Sequence, residues 1–196
     1  MMERSSRFIS LSGLSGISAG ICALIGAWLA YPYTTGRKSV WMHPDEAGLR
    51  GGFDFLVNTW LFWIAIGTLL AALLTAFLFT WRKSKREGIP IWGKMAKRLV
   101  VGVSVPMLVG AVFIFYLLLH YEAVDMVTPA CLVFYGLGLI NAGKYTFGEI
   151  QGLGYCQCIL GILNLCYVDY GIYFWAMGFG ILHIAYGSYM WYKYGR

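Results

Sequence analysis

Charged residues are scarce in this sequence: they make up 12% of its 196 residues, against about 25% in a typical soluble domain. Hydrophobic residues make up 59%, and the mean hydropathy is +0.66. So few charges could not cover the apolar surface of a water-soluble domain of this length. The composition therefore predicts a membrane protein built on long apolar helices.

Motifs of established chemistry are missing as well. The chain contains no HExxH, Walker A or GxGxxG pattern, and these are the patterns that mark zinc, nucleotide and dinucleotide sites. We therefore predict no catalytic residues, no enzymatic activity and no cofactor.

The cysteines do not suggest a disulfide framework, because their number is odd and all lie in or beside apolar runs. Cys156 and Cys158 are one residue apart, which is not the spacing of a redox or zinc pair. We predict small packing residues and no metal site. The five are Cys22, Cys131, Cys156, Cys158 and Cys166.

Six apolar segments are long enough to cross ~30 Å of hydrocarbon at ~1.5 Å per residue. Helices are expected, because a bilayer offers no hydrogen-bond partners to an open backbone. We predict one all-α, six-helix transmembrane domain over residues 1–196. Its spans are predicted at about 8–32, 55–81, 99–119, 128–147, 152–168 and 171–192, of which the fifth is short and interrupted by glycines.

Lysine and arginine are distributed unevenly between the predicted loops. With the N-terminus inside, twelve of the fifteen fall on the cytoplasmic side, while Arg37, Lys38 and Arg50 fall outside. This asymmetry predicts a multi-pass inner-membrane protein with both termini in the cytoplasm. The residues assigned to topology and lipid headgroups are Arg82, Lys83, Lys85, Arg86, Lys94, Lys97, Arg98 and Lys144.

Polar residues between the fourth and fifth spans are interpreted as a membrane edge. The fourth helix should reach the inner boundary near Lys144, whose ammonium group would extend to the headgroups. Glu149 and Gln151 are predicted to lie in a short inner turn, exposed or paired with Lys144.

Spaced small residues predict which helices approach closely in lipid. The first span carries Gly16 and Gly20, the fifth carries Gly154 and Gly161, and the last has four spaced glycines. Helices 1, 5 and 6 are therefore the predicted tight packers, and we favour contacts within one chain. Pro106 is predicted to kink the third span.

His183 is the one ionisable side chain deep in a predicted span, roughly 18 Å along the helix from Gly171 at ~1.5 Å per residue. Ionisable residues inside a membrane are costly and often functional. One interpretation is a neutral, hydrogen-bonded histidine that holds helices 5 and 6 together. The other is a proton relay or ligand site. The polar candidates within the membrane are His183, Gln157, Asn164 and Tyr186.

The outer loops carry an acidic patch that could attract a cation. His120, Glu122, Asp125 and Asp169 belong to it, and His43, Asp45 and Glu46 could join from the first outer loop. No fixed ligand spacing links them, so solvated loop acids are the favoured interpretation.

The last hairpin, Leu153 to Lys193, resembles the repeated helix pair of small six-span bacterial membrane proteins associated with acid stress. Ile159–Ile162 reads ILGI, and Ile184–Gly187 fits the spaced-glycine pattern of the second helix. The resemblance covers about a fifth of the chain. It implies an inner-membrane, non-enzymatic stress role and carries over no functional residues.

The leading hypothesis is therefore an integral inner-membrane protein without catalytic activity, with a structural, stress-response or accessory role. The alternative is a small solute, ion or proton-coupled transporter or channel whose path passes His183. The expected partners are membrane lipids, with a second copy or another membrane protein possible and no nucleic acid.

Overall fold

The computed structural model describes residues 13–35, 60–88, 92–121, 123–146 and 148–194. All regular structure in these ranges is helical, which confirms the all-α prediction. Residues 8–12 and 55–59 of the predicted spans, together with His43, Asp45, Glu46 and Glu122, lie outside the described residues.

Six helices correspond to the six predicted segments. The first five are α1 (Gly13–Thr34), α2 (Trp60–Glu87), α3 (Lys94–Tyr121), α4 (Val127–Ala142) and α5 (Gly148–Cys166). The sixth, α6, runs through an α segment (Gly171–Trp175), a π segment (Ala176–Leu182) and a second α segment (His183–Tyr194). Short 3₁₀ turns, Val124–Met126 and Val168–Tyr170, precede α4 and α6 and contact each other.

Within the described residues, four helical stretches are long and apolar enough to cross a membrane. They are Gly13–Thr34, Trp60–Arg86, Ala96–Tyr121 and Val124–Ala142. Two of the six helices, α5 and α6, are less apolar because they carry Gln157, Asn164, His183 and many glycines and tyrosines. Helix α3 continues through Pro106.

Consecutive helices run antiparallel, whereas α4 and α6, which also touch, run in the same direction. Helix α2 packs on α1, α1 packs on α6, α6 contacts α4 and α5, and α3 packs on the outer side of α4. The end of α1 meets the start of α6, where the hydroxyls of Tyr31 and Tyr173 lie 3.3 Å apart. The end of α4 meets the start of α3, where Asn141 Nδ2 donates to Gly102 O at 2.8 Å.

Glycines bring α1 and α6 into backbone contact. A Cβ added at Gly187 would lie 2.5 Å from Gly13 O and 2.6 Å from Ile17 N, and one at Gly20 would lie 2.7 Å from Gly180 O. Such approach distances leave no room for a side chain, so this contact requires glycine. The contact is within one chain, as favoured from the sequence.

A second glycine contact joins α4 and α5. A Cβ at Gly154 would lie 2.7 Å from Gly136 O, and one at Gly161 would lie 3.0 Å from Pro129 O. Helix α5 therefore packs most closely on α4. The sequence predicted helices 1, 5 and 6 as the tight packers and did not include α4. The glycine contacts of backbone against backbone thus form two pairs, α1 with α6 and α4 with α5.

Two cysteines lie at contacts between helices. Cys158 Sγ is 3.7 Å from Val133 O across the α4–α5 contact, and Cys22 Sγ is 3.9 Å from Thr75 Oγ1 of α2. They act as small packing residues, as predicted, whereas Cys156 and Cys166 are exposed.

Every lysine and arginine of the described residues lies at one end of the bundle. This end comprises the end of α2, the start of α3, the turn after α4 and the end of α6. At the end of α2, Lys85 Nζ lies 5.7 Å from the centre of the Trp81 ring. Asp125 and Asp169, in the two 3₁₀ turns, lie at the opposite end. The helix directions therefore place all described lysines and arginines at one end, the basic end, which also holds Glu87 and Glu149, and place Asp125 and Asp169 at the other.

Candidate functional site around His183

His183 begins the last α segment of α6, directly after the π segment, and is 7% exposed. Its Nδ1 atom lies 3.0 Å from Gly178 O, five residues earlier in the same helix, and its Nε2 atom lies 2.7 Å from the Tyr135 hydroxyl of α4. Both ring nitrogens are therefore engaged within the protein.

These partners determine which ring nitrogen of the neutral imidazole carries the proton. A carbonyl oxygen only accepts, so Nδ1 carries the proton and donates it to Gly178 O. Nε2 is then the acceptor, and the Tyr135 hydroxyl donates to it. A neutral imidazole satisfies every hydrogen bond in this arrangement, so the geometry needs no charge on His183.

Gln157 reaches the same carbonyl from α5. Its Nε2 atom donates to Gly178 O at 2.8 Å, and the side chain is completely buried. A Cβ at Gly178 would lie 2.6 Å from Gln157 Oε1 and 2.5 Å from Leu132 Cδ2. Glycine at this position therefore lets α4 and α5 approach the π segment, and one carbonyl joins Gln157 to His183.

We name Tyr135, Gln157, Gly178 and His183 the polar cluster. It links α4, α5 and α6, whereas the sequence predicted a histidine that bridges helices 5 and 6 only. Tyr135 was not among the predicted site residues, because in an apolar run a tyrosine looks like a packing residue. The sequence did offer one signal that His183 needs such a partner: an imidazole inside an apolar helix requires hydrogen-bond partners for both of its ring nitrogens.

Aromatic side chains cover the polar cluster. The Phe179 ring centre lies 5.2 Å from that of Tyr135 and 6.1 Å from that of His183, and the Trp175 ring is 4.5 Å from Phe179. This packing separates the imidazole from surrounding solvent or lipid.

Three buried polar atoms have no hydrogen-bond partner among the described residues: Gln157 Oε1, Asn164 Oδ1 and Tyr186 Oη. Asn164 is apart from the polar cluster, at the far end of α5, where its Nδ2 atom donates to Tyr167 O at 2.9 Å. Tyr186 packs against the buried group of Leu139 and Ile150 towards the basic end. Of the four predicted candidates, the structure thus joins only His183 and Gln157 by a shared hydrogen-bond partner.

The predicted outer patch does not form a metal centre within the described ranges. His120, Asp125 and Asp169 are all exposed, and the His120 ring packs at a tilt against Tyr116, with the ring centres 4.5 Å apart. No group of three or more His, Cys, Asp or Glu side chains there could hold a metal ion.

Residues Gly16–Gly20 read GISAG, which has the GxSxG spacing of a hydrolase nucleophile. That motif works on a sharp turn between a strand and a helix, whereas Ser18 lies inside α1 and its hydroxyl donates to Ser15 O at 3.0 Å. The part of His183 that approaches Gly16 is its backbone carbonyl. These residues therefore do not form a nucleophile–base pair.

Glu149 forms an ion pair where the start of α5 meets the end of α6. Lys193 Nζ donates to Glu149 Oε1 at 2.6 Å, and the Tyr194 hydroxyl donates to the same oxygen at 3.0 Å. The hydrogen bond from Lys193 lowers the pKa of the Glu149 carboxyl, and the same bond raises the pKa of Lys193. Glu149 thus pairs with Lys193 and not with Lys144, which is exposed in the turn after α4. The prediction of an inner turn at Glu149 and Gln151 was wrong, because both lie in the first turn of α5.

We expect this ion pair to make stability depend on pH. Because the pKa of Glu149 is lower in the folded than in the unfolded chain, its stabilisation is complete above the unfolded value, about 4.3. It is lost as the pH falls through the folded value. In detergent at about pH 6, Glu149→Gln should melt about 1–3 °C below wild type, a small effect because both side chains are partly exposed. The difference should narrow towards about pH 3, and an equal difference at both pH values would contradict this expectation.

Comparisons of the chain with protein-family models, with curated proteins and with solved structures found no match. A function must therefore rest on the residues of the bundle themselves.

Proposed function

We propose that the chain is a six-span protein of the cell inner membrane, with both termini in the cytoplasm, that has no catalytic activity and acts as a structural or accessory component. The observation that carries this proposal is the polar cluster. Its imidazole is buried, has both nitrogens bonded inside the protein, and is covered by aromatic rings. Such a histidine holds helices together and leaves no nitrogen for a transported ion.

Six spans are supported by the way α5 and α6 pack. The 19 residues of α5 extend for about 28 Å, close to the ~30 Å of a hydrocarbon core. Helix α5 lies antiparallel to α4 along its length, and α6 lies antiparallel to α1. Both therefore extend beside helices that are themselves long and apolar enough to span.

The orientation is supported by the distribution of lysine and arginine. The end of the bundle that carries all described lysines and arginines would face the cytoplasm under the positive-inside rule, and Asp125 and Asp169 would then face outward. A stress-response role rests only on the resemblance of the last hairpin to acid-stress membrane proteins.

The competing function is a transporter or channel with a path past His183. The feature that favours it is the π segment Ala176–Leu182, because π-helical turns often occur at functional sites. A path would need solvent at the polar cluster, and its packing against Phe179 and Leu132 argues against that.

Flux measurements separate the two functions. Proteoliposomes with an entrapped pH-sensitive dye should show no more proton flux than empty liposomes at two pH values, for wild type, His183→Ala and the control Ser188→Ala. Ser188 is exposed on the same helix. Flux in wild type and Ser188→Ala that is lost in His183→Ala would overturn the structural role and favour transport.

A further inference from the structure

A cavity of about 320 Å³ lies between the helices near the end of the bundle that holds Asp125 and Asp169. Its walls come from the second half of α1, the first half of α2, the end of α3 and the starts of α4 and α6. Representative wall residues are Ala30, Ile64, Leu118, Val127, Ile172 and Trp175.

The walls are almost entirely apolar. Only three hydroxyl groups belong to lining residues, those of Thr34, Thr68 and Thr128, and the Thr34 hydroxyl already donates to Ala30 O and Tyr31 O of its own helix. Water would fill this volume with on the order of ten molecules, each of which needs two to four polar partners. The walls cannot supply them, so the cavity favours an apolar occupant.

The cavity is closed towards the middle of the bundle and open at one side. Its inner limit is the contact of α1 with α2, where a Cβ at Gly26 would lie 2.7 Å from Thr68 Cγ2. Helix α2 packs on α1 and α3 packs on α4, but α2 and α3 do not pack along each other. Two lining residues on either side of this gap, Ile66 of α2 and Phe115 of α3, are exposed, as an opening between the two helices requires.

We propose that this cavity binds one acyl chain of a bilayer phospholipid, which enters sideways between α2 and α3. The inference rests on the membrane-spanning arrangement proposed above, which puts the cavity in the leaflet opposite the basic end. Its volume is within the range of small-ligand sites, roughly 300–1,000 Å³. A partner helix, about 10–12 Å across with its side chains, would not fit, whereas a single hydrocarbon chain would. None of the described wall residues is charged, so these walls would not hold a phosphate and the headgroup would stay at the membrane surface.

Native mass spectrometry of the protein released from mild detergent tests this. Wild type should retain one more phospholipid than Ala65→Trp, which places a large side chain at a wall of the cavity. The control Ala71→Trp, at an exposed position on the same helix outside the cavity, should match wild type. Equal lipid retention in all three proteins would overturn the proposal.

A second measurement uses the wild-type protein and needs no substitution in the cavity. A phospholipid with a photoreactive group on its acyl chain should label Ala27, Ala30 and Leu118 of wild type, which are buried from surrounding lipid. Labels confined to outward residues such as Leu70 and Leu108 would overturn the proposal. If wild type resists carbonate extraction from membranes yet retains no lipid, only the acyl-chain site fails. If carbonate releases it, the membrane-spanning arrangement fails as well.

Discussion

Gly154→Ala should destabilise the protein by about 1–3 kcal/mol, the usual cost of overpacking a close contact. Its Cβ would lie 2.7 Å from Gly136 O and 2.8 Å from Ile140 N. Both atoms belong to the α4 backbone, which cannot move aside as a flexible side chain can. The methyl group must therefore push α5 away from α4, and the Cys158 contact with Val133 O lies on the same interface.

Gly152→Ala is the matched control, two residues earlier on the same helix. A Cβ there would meet no atom within 4 Å. Because alanine is a better helix former than glycine by about 0.8–1.0 kcal/mol, this variant should be as stable as wild type or slightly more stable. Unfolding in mixed micelles with increasing SDS, followed by helical circular dichroism, would measure both. Equal loss of stability in the two variants would show that α4 and α5 are not in close contact at Gly154.

His183→Ala should cost about 2–4 kcal/mol. The change leaves a cavity where the ring was, and it also leaves the buried Tyr135 hydroxyl without its acceptor. Tyr135→Phe should cost less, about 0.6–2 kcal/mol, because it removes one hydrogen bond between helices and leaves only Nε2 unpaired. The same unfolding assay would compare these variants.

The two changes should not be additive. In a His183→Ala background the Tyr135 hydroxyl has already lost its partner, so Tyr135→Phe should cost little or even stabilise. Gln157→Met is a control within the polar cluster: Gly178 O keeps its bond from His183, and the unpartnered Gln157 Oε1 is removed. The free energy of unfolding of this variant should be close to that of wild type. Strict additivity of the His183 and Tyr135 changes would contradict the hydrogen bond between them.

The number and approximate place of the helices follow from the apolar runs, because a run of about 20 such residues has few other stable forms. Helix ends are predicted less well. Helix α3 begins at Lys94, before the predicted 99, and α4 ends at Ala142, before the predicted 147. Hydropathy marks an apolar run, whereas a helix can extend past that run with basic residues or end before the run does, at a turn such as the one at Gly143 and Lys144.

The partners of the polar side chains could be predicted only in part. His183 and Gln157 stood out because polar groups are rare in apolar runs. Both side chains bond to Gly178 O because of the π segment and because of the position of α5 along the axis of α6. Neither feature can be predicted from residue spacing alone. Tyr135 and the α4–α5 glycine contact depend in the same way on packing between elements. The cavity depends on α2 and α3 staying apart, and no local pattern encodes that.

Cysteine accessibility gives the most direct test of a six-span bundle whose polar cluster is sealed. In a chain with its five native cysteines replaced, single cysteines would be placed at Lys144, Asp169 and Gln157 and treated with a membrane-impermeant maleimide. We predict that Lys144→Cys reacts only from the cytoplasmic side, Asp169→Cys reacts only from the outside, and Gln157→Cys reacts from neither. Both loop positions are exposed and Gln157 is completely buried. Reaction of Gln157→Cys from either side would show that water reaches the polar cluster, and would contradict a structural role for His183.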